Sequence, residues 1–352
     1  MAKTCVHFGI CGGCSFQDML PEDYRAMKRD AVVSALARAG LADVQVNPPL
    51  EVPDFSRRRA VFKIRKTEKG VEVGFHAAKS HAIADMRECL VLTPALLKLA
   101  ATLRTALAPI MNNGEAAEAH VTQADNGLDL GFRWVRKLTP ALTADLAKAF
   151  SGKGIVRILV NNDVVREEAA PIVKLGQAEV RQPPLAFLQA TREGEMALQA
   201  HVLALAKGAK NIADLFAGLG TFSLALAARA RVHAVEQDAV ALGALAAAAR
   251  NASGLKPITT ERRDLFKQPL SAAELKPFDF VVLDPPRAGA EAQVREMGSS
   301  RRIAYVSCDP GSFARDAAIL VKAGFRPGPV TPIDQFRYSG HIELVGSFER
   351  MT

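Results

Sequence analysis

From residue 212 onward, apolar runs of strand length alternate with stretches of helix length: 212–216, 232–235, 280–283 and 303–306 each lead into a helix-compatible segment. That alternation narrows the architecture sharply, because strands joined through helices run parallel, and a parallel sheet has to be covered on both faces. It predicts a doubly wound α/β sheet, a Rossmann-like arrangement in which ligands sit beyond the carboxyl ends of the strands, near the reversal of strand order. Polar residues at those ends are therefore the candidates for chemistry.

The chain ahead of Gln182-Pro183-Pro184 reads differently. A first helix is expected over 21–39, with Gly40 as its stop, followed by short alternating runs at 61–64 and 71–75 around the turn-like pair Lys69-Gly70. Two units follow: a smaller strand-rich α+β domain over 1–184 and the α/β domain over 185–352. A chain of 352 residues that is 49% hydrophobic can fill a core in each. No uncharged apolar run approaches the roughly 18 residues of a membrane span, and the start lacks the apolar stretch of a secretory signal. The expectation is a cytoplasmic monomer with no membrane partner.

At the first strand end, Asp214-Leu-Phe-Ala-Gly-Leu-Gly-Thr-Phe brings Gly218 and Gly220 to the opening of a helix, where backbone can approach a ligand closely. Glu236 ends the next strand, placed to accept the hydroxyls of an adenosine ribose. Ser223 stands where a dinucleotide fold would carry its third glycine, which disfavours a nicotinamide cofactor. Asp264 and the segment Asp284-Pro-Pro-Arg287 follow at further strand ends. Acids at successive strand tips suit a cationic sulfonium cofactor better than a phosphate. Pro285-Pro286 stiffens the loop behind Asp284, although a plain turn after a strand remains the competing reading.

Five cysteines divide into a bunched set and two outliers: Cys5, Cys11 and Cys14, then Cys89, then Cys308. Four thiolates can hold either structural zinc or an iron-sulfur cluster, and the spacing does not choose between them. Cys308 follows the run 303–306 and precedes Asp309-Pro310, which places it at a strand-to-helix turn on the ligand side. A helix amino terminus there favours the thiolate, the nucleophilic form.

A net charge of +8 and a pI near 9.3 favour a polyanionic partner. Arg57-Arg58-Arg59 with Lys63, Arg65, Lys66 and Lys69 reads as a surface for an RNA backbone, or as an ordinary solvated face. Phe187 is a candidate for stacking on a displaced base; core packing is the alternative.

The strings CVHFGICGGC (5–14), MREC (86–89), FLQ (187–189), DLFAGLGTF (214–222), VEQD (235–238), DPPRAGA (284–290), YVSCDP (305–310) and SGHIE (339–343) resemble the RNA uracil-C5 methyltransferase family. The likeness is greatest to its iron-sulfur branch acting on 23S ribosomal RNA. The resemblance implies an S-adenosylmethionine pocket lined by Gln189, Phe216, Thr221, Glu236, Asp264 and Asp284. It implies Cys308 as nucleophile, Glu343 as general base, and a 4Fe-4S cluster on Cys5, Cys11, Cys14 and Cys89. The family commonly has Asn at the position of Thr221, and FLQAT replaces the more usual FFQxN. A small β-barrel RNA-binding domain often precedes the cluster in this family; here four residues precede Cys5, so grip on the substrate is expected from the first domain.

Such residues answer a specific chemical difficulty, since C5 of uracil is too weak a nucleophile to take a methyl group unaided. Addition of a thiolate at C6 creates an enolate whose C5 can attack the methyl, after which a base removes the C5 proton and the thiolate leaves. A transfer RNA uridine would require the same residues. A nicotinamide oxidoreductase with an iron-sulfur centre would leave Asp284 and Cys308 without roles, and a metal-stapled RNA-binding protein would need no nucleophile.

Overall fold

A computed structural model describes residues 4–350. In the strand Arg59–Thr67, alternation sends Ala60, Phe62 and Ile64 to one face and Val61, Lys63 and Arg65 to the other. The apolar face lies under the helices Pro94–Leu107 and Pro140–Ala149, whose Leu96, Leu99, Leu103 and Leu146 share a core with Phe62 and Phe132. Both helices start with Thr as cap and Pro inside the first turn; the Thr93 and Thr139 hydroxyls accept from the Leu96 and Leu142 N–H groups. The sheet has seven strands, in the order Ile83–Asp85, Gly70–His76, Arg59–Thr67, Ala116–Ala124, Gly127–Trp134, Ile155–Val160, Asp163–Glu167. Its pairs are antiparallel except for Gly127–Trp134 with Ile155–Val160.

The second sheet holds the expected parallel strands. Ile258–Arg262, Arg231–Glu236, Asn211–Leu215, Phe280–Leu283 and Arg302–Ser307 lie side by side, followed by antiparallel Glu343–Arg350. Strand order reverses at Asn211–Leu215, which pairs on one side with Arg231–Glu236 and on the other with Phe280–Leu283. Alternate residues bury on opposite faces: Val281 and Leu283 join Phe313 and Leu320 of the helix Pro310–Lys322, while Phe280 and Val282 join Leu198 and Val202 of the helix Arg192–Leu205. Each such side chain contributes on the order of 1.5–3 kcal/mol by leaving water.

Packing departs from chain order at the amino-terminal end. The helix Pro21–Arg38 places Val32, Ala35 and Leu36 in the second unit's core with Phe313 and Phe348, and Leu50–Glu51 pairs in parallel with Thr331–Asp334 at the sheet edge. Lys28 is fully buried and donates to Asp334 at 2.7 Å, while the Tyr24 hydroxyl donates to the same carboxylate at 2.6 Å. Residues 21–51 thus complete the α/β unit rather than the strand-rich one. A composition change marks where linkers lie; it does not reveal which sheet edge an earlier segment covers. No helix among the described residues is long and apolar enough to cross a membrane.

Candidate active site

At the end of Asn211–Leu215 the backbone turns through Phe216, with φ +64°, and into Gly220, with φ +91°. A Cβ on Gly220 would lie 2.3 Å from Leu245, so only glycine lets this loop meet the helix Ala239–Asn251. Glu236 is held by backbone N–H groups: one oxygen accepts from Gly218 at 3.0 Å, the other from Gln237 and Asp238 at 2.8 and 2.9 Å. The Phe216 ring lies 5.4 Å from that of Phe266, and Asp264 accepts from the Phe266 N–H at 3.1 Å. Asp264 also pairs with Lys267 at 3.1 Å. The Thr221 carbonyl accepts from Gln199 at 2.8 Å. These four predicted residues lie at or beyond the carboxyl ends of the neighbouring strands Asn211–Leu215, Arg231–Glu236 and Ile258–Arg262.

Ser223 does more than fill the place of a glycine. Its hydroxyl donates to Asp214 at 2.5 Å, and the second oxygen of this fully buried acid has no partner among the described residues. Burial pushes Asp214 up to about 7, against the Ser223 hydrogen bond.

Asp284, Cys308 and Glu343 come together where three neighbouring strands end. Burial raises the Asp284 carboxyl well above its ordinary range, and Glu343 and Asp214 add to this through their charge. Burial raises the Cys308 thiol to about 11, and the carboxylates of Glu343 and Asp284 push in the same direction. Glu343, buried, rises to about 7 despite a hydrogen bond from Gln335. The expectation of a favoured thiolate is therefore corrected for the ligand-free protein. The helix Pro310–Lys322 does start beside Cys308, with Asp309 as its cap, but desolvation and two nearby acids outweigh its amino terminus.

Gln189 is buried, and its side-chain carbonyl accepts from Gln335 Nε2 at 2.7 Å. Gln335 was not singled out from the sequence. The strand-end rule, applied to Thr331–Asp334 as it was to the parallel strands, would have found it: two polar residues, Asp334 and Gln335, close an otherwise apolar run.

Arg58 is not part of the surface expected of the arginine triplet: it is buried, pairs with Glu195 at 2.7 Å and donates to the Gln189 carbonyl at 3.2 Å. Arg59 donates to the Leu188 carbonyl, and Arg57 to the Arg59 carbonyl at 3.0 Å. Arg58 and Arg59 thus hold the 188–190 segment. Phe187 is 68% exposed, which rules out core packing, and the Arg59 guanidinium lies 4.8 Å from its ring centroid. Phe187, Arg57, Arg59, Phe336 and Gln189 line one groove of about 210 Å3.

Cys5, Cys11, Cys14 and Cys89 all line a second cavity, of about 140 Å3, with Arg57 in its wall. Among the described residues no three His, Cys, Asp or Glu side chains are drawn together as a metal-ion site. The segment just beyond Cys14 reaches the loop ahead of Glu343, with the Ser15 and Phe16 N–H groups donating to the Tyr338 carbonyl at 2.7 and 3.2 Å.

Residues 148–350 match the sequence profile of the tRNA (Uracil-5-)-methyltransferase family. An uncharacterized RNA methyltransferase of Rhizobium meliloti (strain 1021) is 43% identical across 98% of this chain and 85% of its own length. The 23S rRNA (uracil(1939)-C(5))-methyltransferase RlmD of Bordetella parapertussis is 34% identical, covering all of this chain and 80% of its own. In three dimensions the chain is similar to the Pyrococcus abyssi tRNA (uracil-54, C5)-methyltransferase in complex with S-adenosyl-L-homocysteine. That likeness has a TM-score of 0.76 at 23% identity, over 96% of this chain and 84% of the other, and it concerns the fold.

Proposed function

Because the chain belongs to the tRNA (Uracil-5-)-methyltransferase family and is an RNA methyltransferase using S-adenosylmethionine, we propose that it methylates C5 of a uridine in 23S ribosomal RNA. The observation that carries the mechanism is the meeting of Cys308, Asp284 and Glu343 at the strand ends. The ribosomal substrate is favoured by the relative that shares 34% identity over the whole chain. The family assignment removes the nicotinamide reading.

In this proposal Cys308 adds through its thiolate to C6 of a uracil displaced from its stack, and the ring charge that collects at C5 takes up the methyl group. S-adenosylmethionine, when bound, supplies that methyl as an electrophile on a sulfonium centre. Gln189, Phe216, Thr221, Glu236, Asp264 and Asp284 would line its pocket. Glu343 then accepts the C5 proton, and the C6–sulfur bond breaks to restore the aromatic ring and the thiolate. Near 7, Glu343 is matched to a proton transfer at neutral pH. Phe187, exposed beside Arg59 in the groove that reaches Gln189, offers a face to a displaced base.

Cys5, Cys11, Cys14 and Cys89 would hold a 4Fe-4S cluster. Support comes from their common cavity and from a donor set of four thiols; such a group would tie the 5–16 segment to Cys89 and, through Tyr338, to the loop ahead of Glu343.

Mapping 5-methyluridine in ribosomal and transfer RNA from cells with and without this gene tests the reading. Loss of one mark from 23S RNA is expected. Loss from transfer RNA alone would move the substrate, and no loss from either would end the proposal.

A further inference from the structure

We infer that Gln335 is a positioning residue for methyl transfer: its side-chain amide sets which end of the Gln189 amide faces the cleft. The inference rests on the role proposed above for Gln189.

Gln335 follows the strand Thr331–Asp334 and is 1% exposed. It can sit against the helix Arg192–Leu205 only because residue 194 is glycine: a Cβ there would come within 2.7 Å of the Gln335 Cβ and 3.0 Å of its Oε1. Two hydrogen bonds then fix the amide. The Thr191 N–H donates to Gln335 Oε1 at 3.4 Å, and Gln335 Nε2 donates to Gln189 Oε1 at 2.7 Å.

The direction of this chain follows from its first link. A backbone N–H can only donate, so the oxygen of Gln335 has to face Thr191 and its nitrogen has to face Gln189. An NH2 group can only donate as well, so Gln189 must turn its own oxygen inward. Its Nε2 is left with no protein acceptor among the described residues, at the groove that Gln189 lines. Gln189 is thereby presented as a donor, fit for a carboxylate or carbonyl oxygen of a bound molecule. Without Gln335 its two ends would be nearly equivalent in shape, and half the orientations would offer the wrong group.

The test uses the full chain with 23S ribosomal and transfer RNA transcripts made with uridine or with 5-fluorouridine. Fluorine at C5 cannot be removed as a proton, so the fluorinated transcript reports thiolate addition and methyl transfer without the base, as a stable adduct. Gln335→Met keeps the length of the side chain and removes its donors. At saturating S-adenosylmethionine it should still form the fluorinated adduct. On ordinary transcripts the KM for S-adenosylmethionine should rise several-fold as Gln189 loses its orientation, with a smaller change in kcat. Should Gln335→Met fail to fold, Gln335→Asn, one carbon too short to span Thr191 and Gln189, should show the same rise in KM. A KM unmoved from that of the natural protein, with or without a general fall in rate, would overturn the inference. Failure of the natural protein to form the fluorinated adduct would instead remove Cys308 as nucleophile, and the role of Gln335 with it.

Discussion

The Cys308 thiol lies where burial and the Glu343 carboxylate act on it together, and its ionisation is held up at about 11. The charge of Glu343 opposes ionisation of Cys308. Glu343→Gln should therefore raise the rate of Cys308 alkylation by iodoacetamide at pH 8 several-fold, read by mass spectrometry of the peptide carrying residue 308. The same variant should accumulate a covalent adduct with substrate RNA, whereas Cys308→Ala should form neither adduct nor 5-methyluridine. Equal alkylation rates with and without the carboxylate would mean that the two groups do not interact.

Glu343 also carries a stability cost that depends on pH. Its carboxyl sits at about 7 in the folded chain and ionises near the ordinary 4.5 when unfolded, so between those values the folded state keeps a proton that the unfolded state has lost. Stability falls as pH rises through that window, by about 3 kcal/mol in full. Glu343→Gln escapes this loss. Its gain over the natural protein in urea denaturation should be small below pH 4.5, grow through pH 7 and then level off.

Arg58 and Glu195 form an ion pair buried on both sides, which also carries the Gln189 carbonyl. Glu195→Ala leaves a guanidinium without its partner, at a cost of about 3–5 kcal/mol in denaturant unfolding. Arg58→Met/Glu195→Leu should recover much of the stability. It should not recover cofactor affinity, because Gln189 has still lost its donor.

Removing the proposed cluster should act at a distance. Anaerobic purification should give about four irons per chain and a broad visible absorption; zinc in their place would reverse that assignment. Cys14→Ser should lose the iron and increase hydrogen exchange at 336–341, since Ser15 and Phe16 brace Tyr338. Binding of S-adenosylmethionine should change little.

The second unit was readable in the sequence because each of the parallel strands 211–215, 231–236, 280–283 and 302–307 ends at, or one residue before, a candidate site residue: Phe216, Glu236, Asp284 and Cys308. Period, burial and chemistry coincide there. The first helix was readable as a helix, but its partner was not: Lys28 appears as one more surface cation until Asp334 lies beside it. Arg58 misled for a related reason. Strand alternation tells which side a residue faces, and for Arg58 that side is another domain's helix rather than water. The raised ionisation of Cys308 was hidden too, because it depends on burial and then on Glu343 and Asp284, brought in by two other strands.

The helix Pro21–Arg38 and the strand Leu50–Glu51 dock on residues that follow some three hundred positions later; Tyr24 and Asp334 are 310 residues apart. On the ribosome, the first helix emerges long before the surface it must cover exists. Its apolar stripe has to wait, exposed or chaperoned, until the last strands leave the exit tunnel. The closing step of folding therefore joins the two ends of the polypeptide, and by the same step fixes the loop that carries Gln335 and leads to Glu343. A chain interrupted before residue 343 would lose both the proposed base and the strand that joins Thr331–Asp334 to the rest of the sheet.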